Sequence, residues 1–180
     1  YRTYVVGVPH YFQHIDDRLK ENQNAHFTAL ARVSWVDQRS NLELQSKLFH
    51  NTAKIDKEFF EVGPGWRYPD TSDWFDRPQL LKALEHAKDH NLDLLFQSVD
   101  RAIRKYGYHP SRIDEGQPSQ HEFDEMGKLA AGYGVKLVTI WHPDLTLREV
   151  QSLRSAWVMK CRCVTGGRPR KANRRGRPCK

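Results

Sequence analysis

Phe27-Thr28-Ala29-Leu30-Ala31-Arg32-Val33-Ser34 is the stretch on which the reading of this chain turns. From Phe27 to Val33 the residues form a short apolar run with the length and flanks of a buried strand. A capping box, Ser40-x-x-Glu43, then opens a helix through Leu44 and Leu48. The same alternation continues outward. Lys57 to Val62 reads as a second strand, and Pro78 stands as the first-turn proline of a helix spaced by Leu80, Leu81, Leu84 and Ala87. Leu92 to Phe96 is a third strand, Ser119-x-x-Glu122 opens a helix through Leu129 and Ala130, and Val135 to Ile140 is a fourth strand. Thr146 to Met159 closes the series as an amphipathic helix with Leu147, Val150, Leu153 and Trp157 on one face. Strands alternating with helices predict an α/β domain of three layers around a mostly parallel central sheet of about four or five strands.

The chain of 180 residues carries 38% apolar and 28% charged residues, enough for one globular core. No apolar run has bilayer-spanning length, and the first residues lack the apolar core of a secretory signal, so the expectation is a soluble, cytoplasmic protein with no membrane partner. The net charge of +7 is unevenly spread: residues 160–180 hold nine of the 29 Lys and Arg and no acid, which leaves 20 basic against 22 acidic residues in 1–159. A neutral body with a basic tail points to a polyanionic partner, nucleic acid above all. All three cysteines, Cys161, Cys163 and Cys179, lie in that tail, which argues against a disulfide framework and fits a reducing compartment. Neither Cys161-x-Cys163 nor the pair His10 and His14 has the further ligands of a metal site, and no metal or cofactor is expected. Residues 1–25 show no sustained periodicity and read as an N-terminal appendage.

Ligands of parallel sheets bind beyond the carboxyl ends of the strands. Two motifs fall there: Ala31-Arg32-Val33-Ser34 with Gln38 after the first strand, and Val99-Asp100-Arg101-Ala102-Ile103-Arg104 after the third. Each sets guanidinium groups beside a hydroxyl nucleophile or a carboxylate, an arrangement suited to a phosphodiester. Ser34 has no His or Lys base nearby in sequence, so its activation would come from the neighbouring guanidiniums. Singly, Ser34 reads as an ordinary strand-end residue and Asp100 as a helix-start acid at the positive end of the dipole. Together, on one sheet edge, they favour a site.

These residues resemble the catalytic domain of the serine recombinases, the resolvase and invertase family. The resemblance rests on Arg32-Val33-Ser34 with Gln38, on Arg77-Pro78, and on Asp100-Arg101-Ala102-Ile103-Arg104, and it covers about residues 27–141. It implies a resolvase-like catalytic domain over residues 26–145. In it Ser34 attacks a DNA phosphate in line, releases the 3′ oxygen and becomes joined to the 5′ phosphate. Arg32, Arg101 and Arg104 surround that phosphate, Arg77 contributes from a loop, Asp100 orients an arginine or takes part in proton transfer, and Gln38 holds the active-site loop. The guanidiniums replace a divalent ion. The same resemblance implies double-stranded DNA as partner, a homo-oligomer (a dimer, and a tetramer in synapsis), a nucleoid-associated location and a role in the rearrangement of mobile DNA.

Several positions depart from the family pattern: Leu30 where an aromatic residue is common, the large Trp35 after the nucleophile, and an inserted stretch from Tyr106 to Pro118. The expectation is that the long family helix is short here, at 146–159, with no room in these 180 residues for a DNA-reading domain after it. In its place residues 160–180 form a basic tail, expected to be disordered, with two Gly-Arg-Pro cores. Arg168, Arg170, Lys171, Arg174, Arg175 and Arg177 are its candidate DNA contacts, as a linker stub or as AT-hook-like arms in the minor groove. The alternative function is a degenerate recombinase fold that no longer cuts DNA and binds it through this tail.

Overall fold

The computed structural model describes residues 11–33, 39–63, 77–103, 120–145 and 147–164. Among them are five strands and six helices: β1 (Phe12–His14), α1 (Ile15–Glu21), β2 (His26–Val33), α2 (Arg39–Thr52), β3 (Lys54–Val62), α3 (Pro78–Asp89), β4 (Asp93–Phe96), α4 (Val99–Ile103), α5 (Gln120–Tyr133), β5 (Leu137–Thr139) and α6 (Leu147–Val164). The strands form one sheet in the order β1-β5-β4-β2-β3, with every pairing parallel. The α/β reading of the sequence is the observed architecture.

β2 is an interior strand, flanked by β4 and β3, and its side chains divide between two cores. Phe27, Ala29, Ala31 and Val33 pack with Ile15 of α1, Leu42 and Phe49 of α2, Leu95 and Val138. Leu30 faces the opposite way, among Leu80, Ala83, Leu84 and Ala87 of α3, Phe96, and Met126 and Ala130 of α5. A strand clad on both faces is buried at odd and even positions alike, so the polar Thr28 and Arg32 are enclosed along with the apolar residues. β3, at the sheet edge, alternates instead and leaves Phe60 and Val62 exposed.

Helices α3 and α5 end in the same way. Asn91 and Gly134 take positive φ (52° and 69°), and the residues after them close six-residue loops, Leu92 N–H to Ala87 C=O and Val135 N–H to Ala130 C=O. Such Schellman ends turn the chain straight into β4 and β5.

Two expectations are corrected. Residues 12–21 are not an appendage: β1 pairs with β5 from Phe12↔Leu137 to His14↔Thr139, and Phe12 and Ile15 are buried in opposite cores. Tyr11 lies against Gly127 so closely that a Cβ there would overlap its ring, and its hydroxyl donates to Asp124. The last helix is also longer than expected, running to Val164 and taking residues 160–164 out of the tail. No helix among the described residues is long and apolar enough to cross a membrane.

Candidate active site at the carboxyl edge of the sheet

From β2 the chain moves outward to β3, and from β4 it moves the other way to β5, so the carboxyl ends of β2 and β4 flank the point where the strand order reverses. A crevice forms at such a point. The β2–β4 pairing runs from Phe27↔Asp93 to Ala29↔Leu95, so Arg32 lies beyond it. The side chain of Gln45, buried on α2, binds that backbone: Oε1 accepts from Arg32 N–H at 3.2 Å and Nε2 donates to Arg32 C=O at 3.0 Å. A strand end without such partners would leave two buried polar groups unpaired.

Arg32 pairs on the other side with β3, where it stands opposite Glu61. Its Nε lies 3.4 Å from Glu61 Oε2, and its Nη2 donates to Gly63 C=O at 3.4 Å. The same carboxylate receives Arg77, with Nε at 3.1 Å from both oxygens and Nη2 at 2.7 Å from Oε2. Arg77 is the N-cap residue of α3, held outside the helix because Pro78 follows it. Its guanidinium also donates to two backbone carbonyls of α4, Nη1 to Ala102 and Nη2 to Arg101 at 3.3 Å. Arg77 therefore ties β3 to the short helix that carries Asp100 and Arg101. Arg32 and Arg77 are each only 3% exposed, which makes Glu61 the shared counter-charge of two buried cations.

At the start of α4, Ser98 Oγ donates to Asp100 Oδ1 at 2.5 Å, and Nη2 of Arg154, reaching over from α6, sits 3.0 and 2.9 Å from the two oxygens of Asp100. Asp100 is 1% exposed. Burial alone would raise its pKa, but the charges of Arg154 and Arg101 and the hydrogen bonds from Ser98 and Arg154 outweigh it and hold the carboxyl well below the usual range. The sign of the linkage follows: the ionised pair stabilises the fold above the ordinary aspartate pKa near 4, and that stabilisation fades as pH falls below it. Asp100→Asn is expected to cost about 2 kcal/mol at neutral pH. In urea melts the gap to the wild type should narrow below pH 4; a gap that stays constant with pH would show that the charge of Asp100 is not what stabilises.

Of the residues singled out in the sequence, Arg32, Arg77, Asp100 and Arg101 stand in or on one connected network at this edge. Ser34, Gln38 and Arg104 lie outside the described residues, as do Arg168, Arg170, Lys171, Arg174, Arg175 and Arg177. Glu61, Gln45, Ser98 and Arg154 were not picked out from sequence. Arg154 shares the inward stripe of α6 with Val150, Trp157 and Cys161 at helical spacing, whereas Leu153, expected on that face, is 44% exposed. A buried carboxylate opposite the helix favours a cation at this position over a leucine.

A second constellation lies elsewhere. His86 sits between Thr28 Oγ1 (3.0 Å from Nδ1) and Asp56 Oδ2 (3.3 Å from Nε2), the order of a nucleophile, base and acid. Thr28 is fully buried in β2, so no substrate reaches it. Burial and the stacked His90 lower the His86 pKa, keeping the ring neutral as a bridge between strands and α3. Among the described residues no group of three or more His, Cys, Asp or Glu is placed to hold a metal ion.

No family model matches the sequence, and neither does any curated protein. Among solved structures the chain is similar to the C-terminal catalytic domain of ISC1926 TnpA, an IS607-like serine recombinase, at 21% identity and a TM-score of 0.44 over 81% of this chain and 89% of that one. It is similar also to a serine recombinase from Sulfolobus solfataricus, at 19% identity and a TM-score of 0.46 over 82% of this chain and 90% of that one.

Proposed function

We propose that this chain is the catalytic domain of a serine recombinase, cutting and rejoining DNA through a phosphoserine intermediate on Ser34. The observation that carries the reading is the convergence of Arg32 and Arg77 with the Asp100-Arg101 helix at the reversal point of the sheet, one residue from the strand end where Ser34 follows Val33. Guanidiniums fixed in a dry setting stabilise charge on a phosphate without having to reorganise during reaction. In-line attack by Ser34 Oγ would form the serine–phosphorus bond as the bond to the 3′ oxygen breaks, with the proton passing to that leaving oxygen. The phosphodiester energy stays in the serine ester, so rejoining to a second 3′ hydroxyl requires no nucleotide cofactor. Arg32 and Arg77, both held by Glu61, would set the frame, and Arg101 and Arg104 would act on the phosphate.

The test is to incubate the full chain with negatively supercoiled plasmids bearing a library of inserts and to isolate protein–DNA adducts after denaturation. Adducts are expected to map by peptide mass to Ser34, esterified to a 5′ phosphate. Attachment at another residue, or DNA retention without any covalent product, would overturn the reading. The second of these outcomes is the one expected of a fold that only binds DNA.

A further inference from the structure

The helix α4 spans only Val99–Ile103, too short to hold its own geometry in isolation. Its direction is set by what grips its two ends. At the far end Arg77 binds the carbonyls of Arg101 and Ala102. At the near end Arg154 binds both oxygens of Asp100 and lies 3.4 Å from Ser98 Oγ. The Arg154 guanidinium is itself oriented, since it lies over the Trp141 ring at 6.0 Å from the centroid, and Trp141 and Trp157, one turn further along α6, pack in a T-shape with centroids 6.2 Å apart. A planar cation packed on an aromatic face and gripping a buried carboxylate loses little freedom when it binds.

We propose that Arg154 is a positioning residue of the reaction: by holding Asp100 it fixes the start of α4 and hence the line along which Arg101 presents its guanidinium to the DNA phosphate. This rests on the recombinase reading above. It makes the seating of α6 a condition for a competent site, because the grip is broken if the helix shifts by more than a hydrogen-bond length.

The experiment measures the rate of covalent adduct formation by the full chain on supercoiled plasmid DNA, for wild type, Arg154→Met and Arg154→Lys. The methionine keeps the stem beside Trp141 and removes the charge. The maximal rate should fall about 100-fold, as for a catalytic group displaced by about an ångström, while the DNA concentration giving half-maximal rate stays the same. Lysine should restore part of the rate, since an ammonium replaces the charge but cannot reproduce the planar grip. The pH profile supplies a readout that loss of stability alone would not move. Asp100 is faced, among the described residues, by Arg101 of its own helix, by Arg154 of α6 and by the Ser98 hydroxyl, so removing Arg154 should shift the acid limb to higher pH. If the methionine chain does not fold, the reduced rate and shifted limb of the lysine chain carry the test. A wild type that forms adduct and an Arg154→Met chain that matches it in rate and pH profile would overturn this proposal alone. A wild type that forms no adduct would overturn the recombinase reading and the proposal with it.

Discussion

Arg77→Ala is expected to lower the free energy of unfolding by about 3–5 kcal/mol, because it strips one cation from a buried carboxylate and leaves the rest in place. Glu61 is 8% exposed and would keep only the 3.4 Å contact to Arg32 of the two arginine contacts described. The carbonyls of Arg101 and Ala102 would lose their side-chain donors in the same stroke. For a domain whose whole stability lies near 5–15 kcal/mol, that is a large fraction. Urea unfolding gives the measurement: the midpoint should drop with the slope unchanged. Arg77→Lys should recover little, since one ammonium cannot span a carboxylate and two carbonyls. A loss under about 1 kcal/mol for Arg77→Ala, the range of exposed pairs, would mean that water reaches Glu61 and that the clamp does not organise α4.

The second large effect is chemical. Ser34→Ala should yield no adduct at all, because the atom that becomes esterified is gone, while DNA retention stays at the wild-type level. Arg101→Ala should slow adduct formation by about 10²–10³-fold, the range found when one preorganised donor is removed from a charge-stabilising site. It should also lower the urea midpoint, but by less than Arg77→Ala, because the buried Arg101 helps keep Asp100 ionised while the clamp on α4 uses a backbone carbonyl that survives the substitution. Truncation after Val164 separates binding from cutting: it spares α6 and removes the basic tail, so it should weaken retention in a salt-dependent way. An adduct undiminished in Ser34→Ala would sink the assignment of the nucleophile, and loss of retention in Ser34→Ala would point to misfolding instead.

The fold was legible wherever a segment had to bury a whole face. The Phe27–Val33 run, the Leu80, Leu84 and Ala87 stripe behind Pro78, and Leu94 to Phe96 could be read because water exclusion leaves those positions little choice. β1 escaped notice for the opposite reason. It is only three residues long, and the polar surface of α1 follows it, so Phe12 and Ile15 are too few to make a period. β3 begins at Lys54, not Lys57, because an edge strand tolerates the charged Lys54, Asp56 and Lys57 on its open side. At the site, charged residues next to a nucleophile stood out, and their partners did not. Glu61 looks like the polar face of a strand and Arg154 like the solvent side of a helix until the sheet order brings β3 and α6 to the same edge. A counter-charge supplied from far along the chain has no local signature.

Of the five strands among the described residues, β1 leaves the ribosome first and its partner β5 leaves last. Phe12 and Ile15 are bound for opposite faces of a sheet whose matching edge does not exist until Leu137 has been made. During synthesis the amino-terminal segment must wait, apolar and unpaired, while β2, β3 and β4 assemble. Pairing between segments so far apart in sequence is slow to nucleate, and the waiting segment is open to chaperones, proteases and neighbouring chains for as long as it lasts. The finished sheet conceals this interval. Access to Phe12 and Ile15 is expected to be greatest during synthesis, before β5 is there to pair with β1.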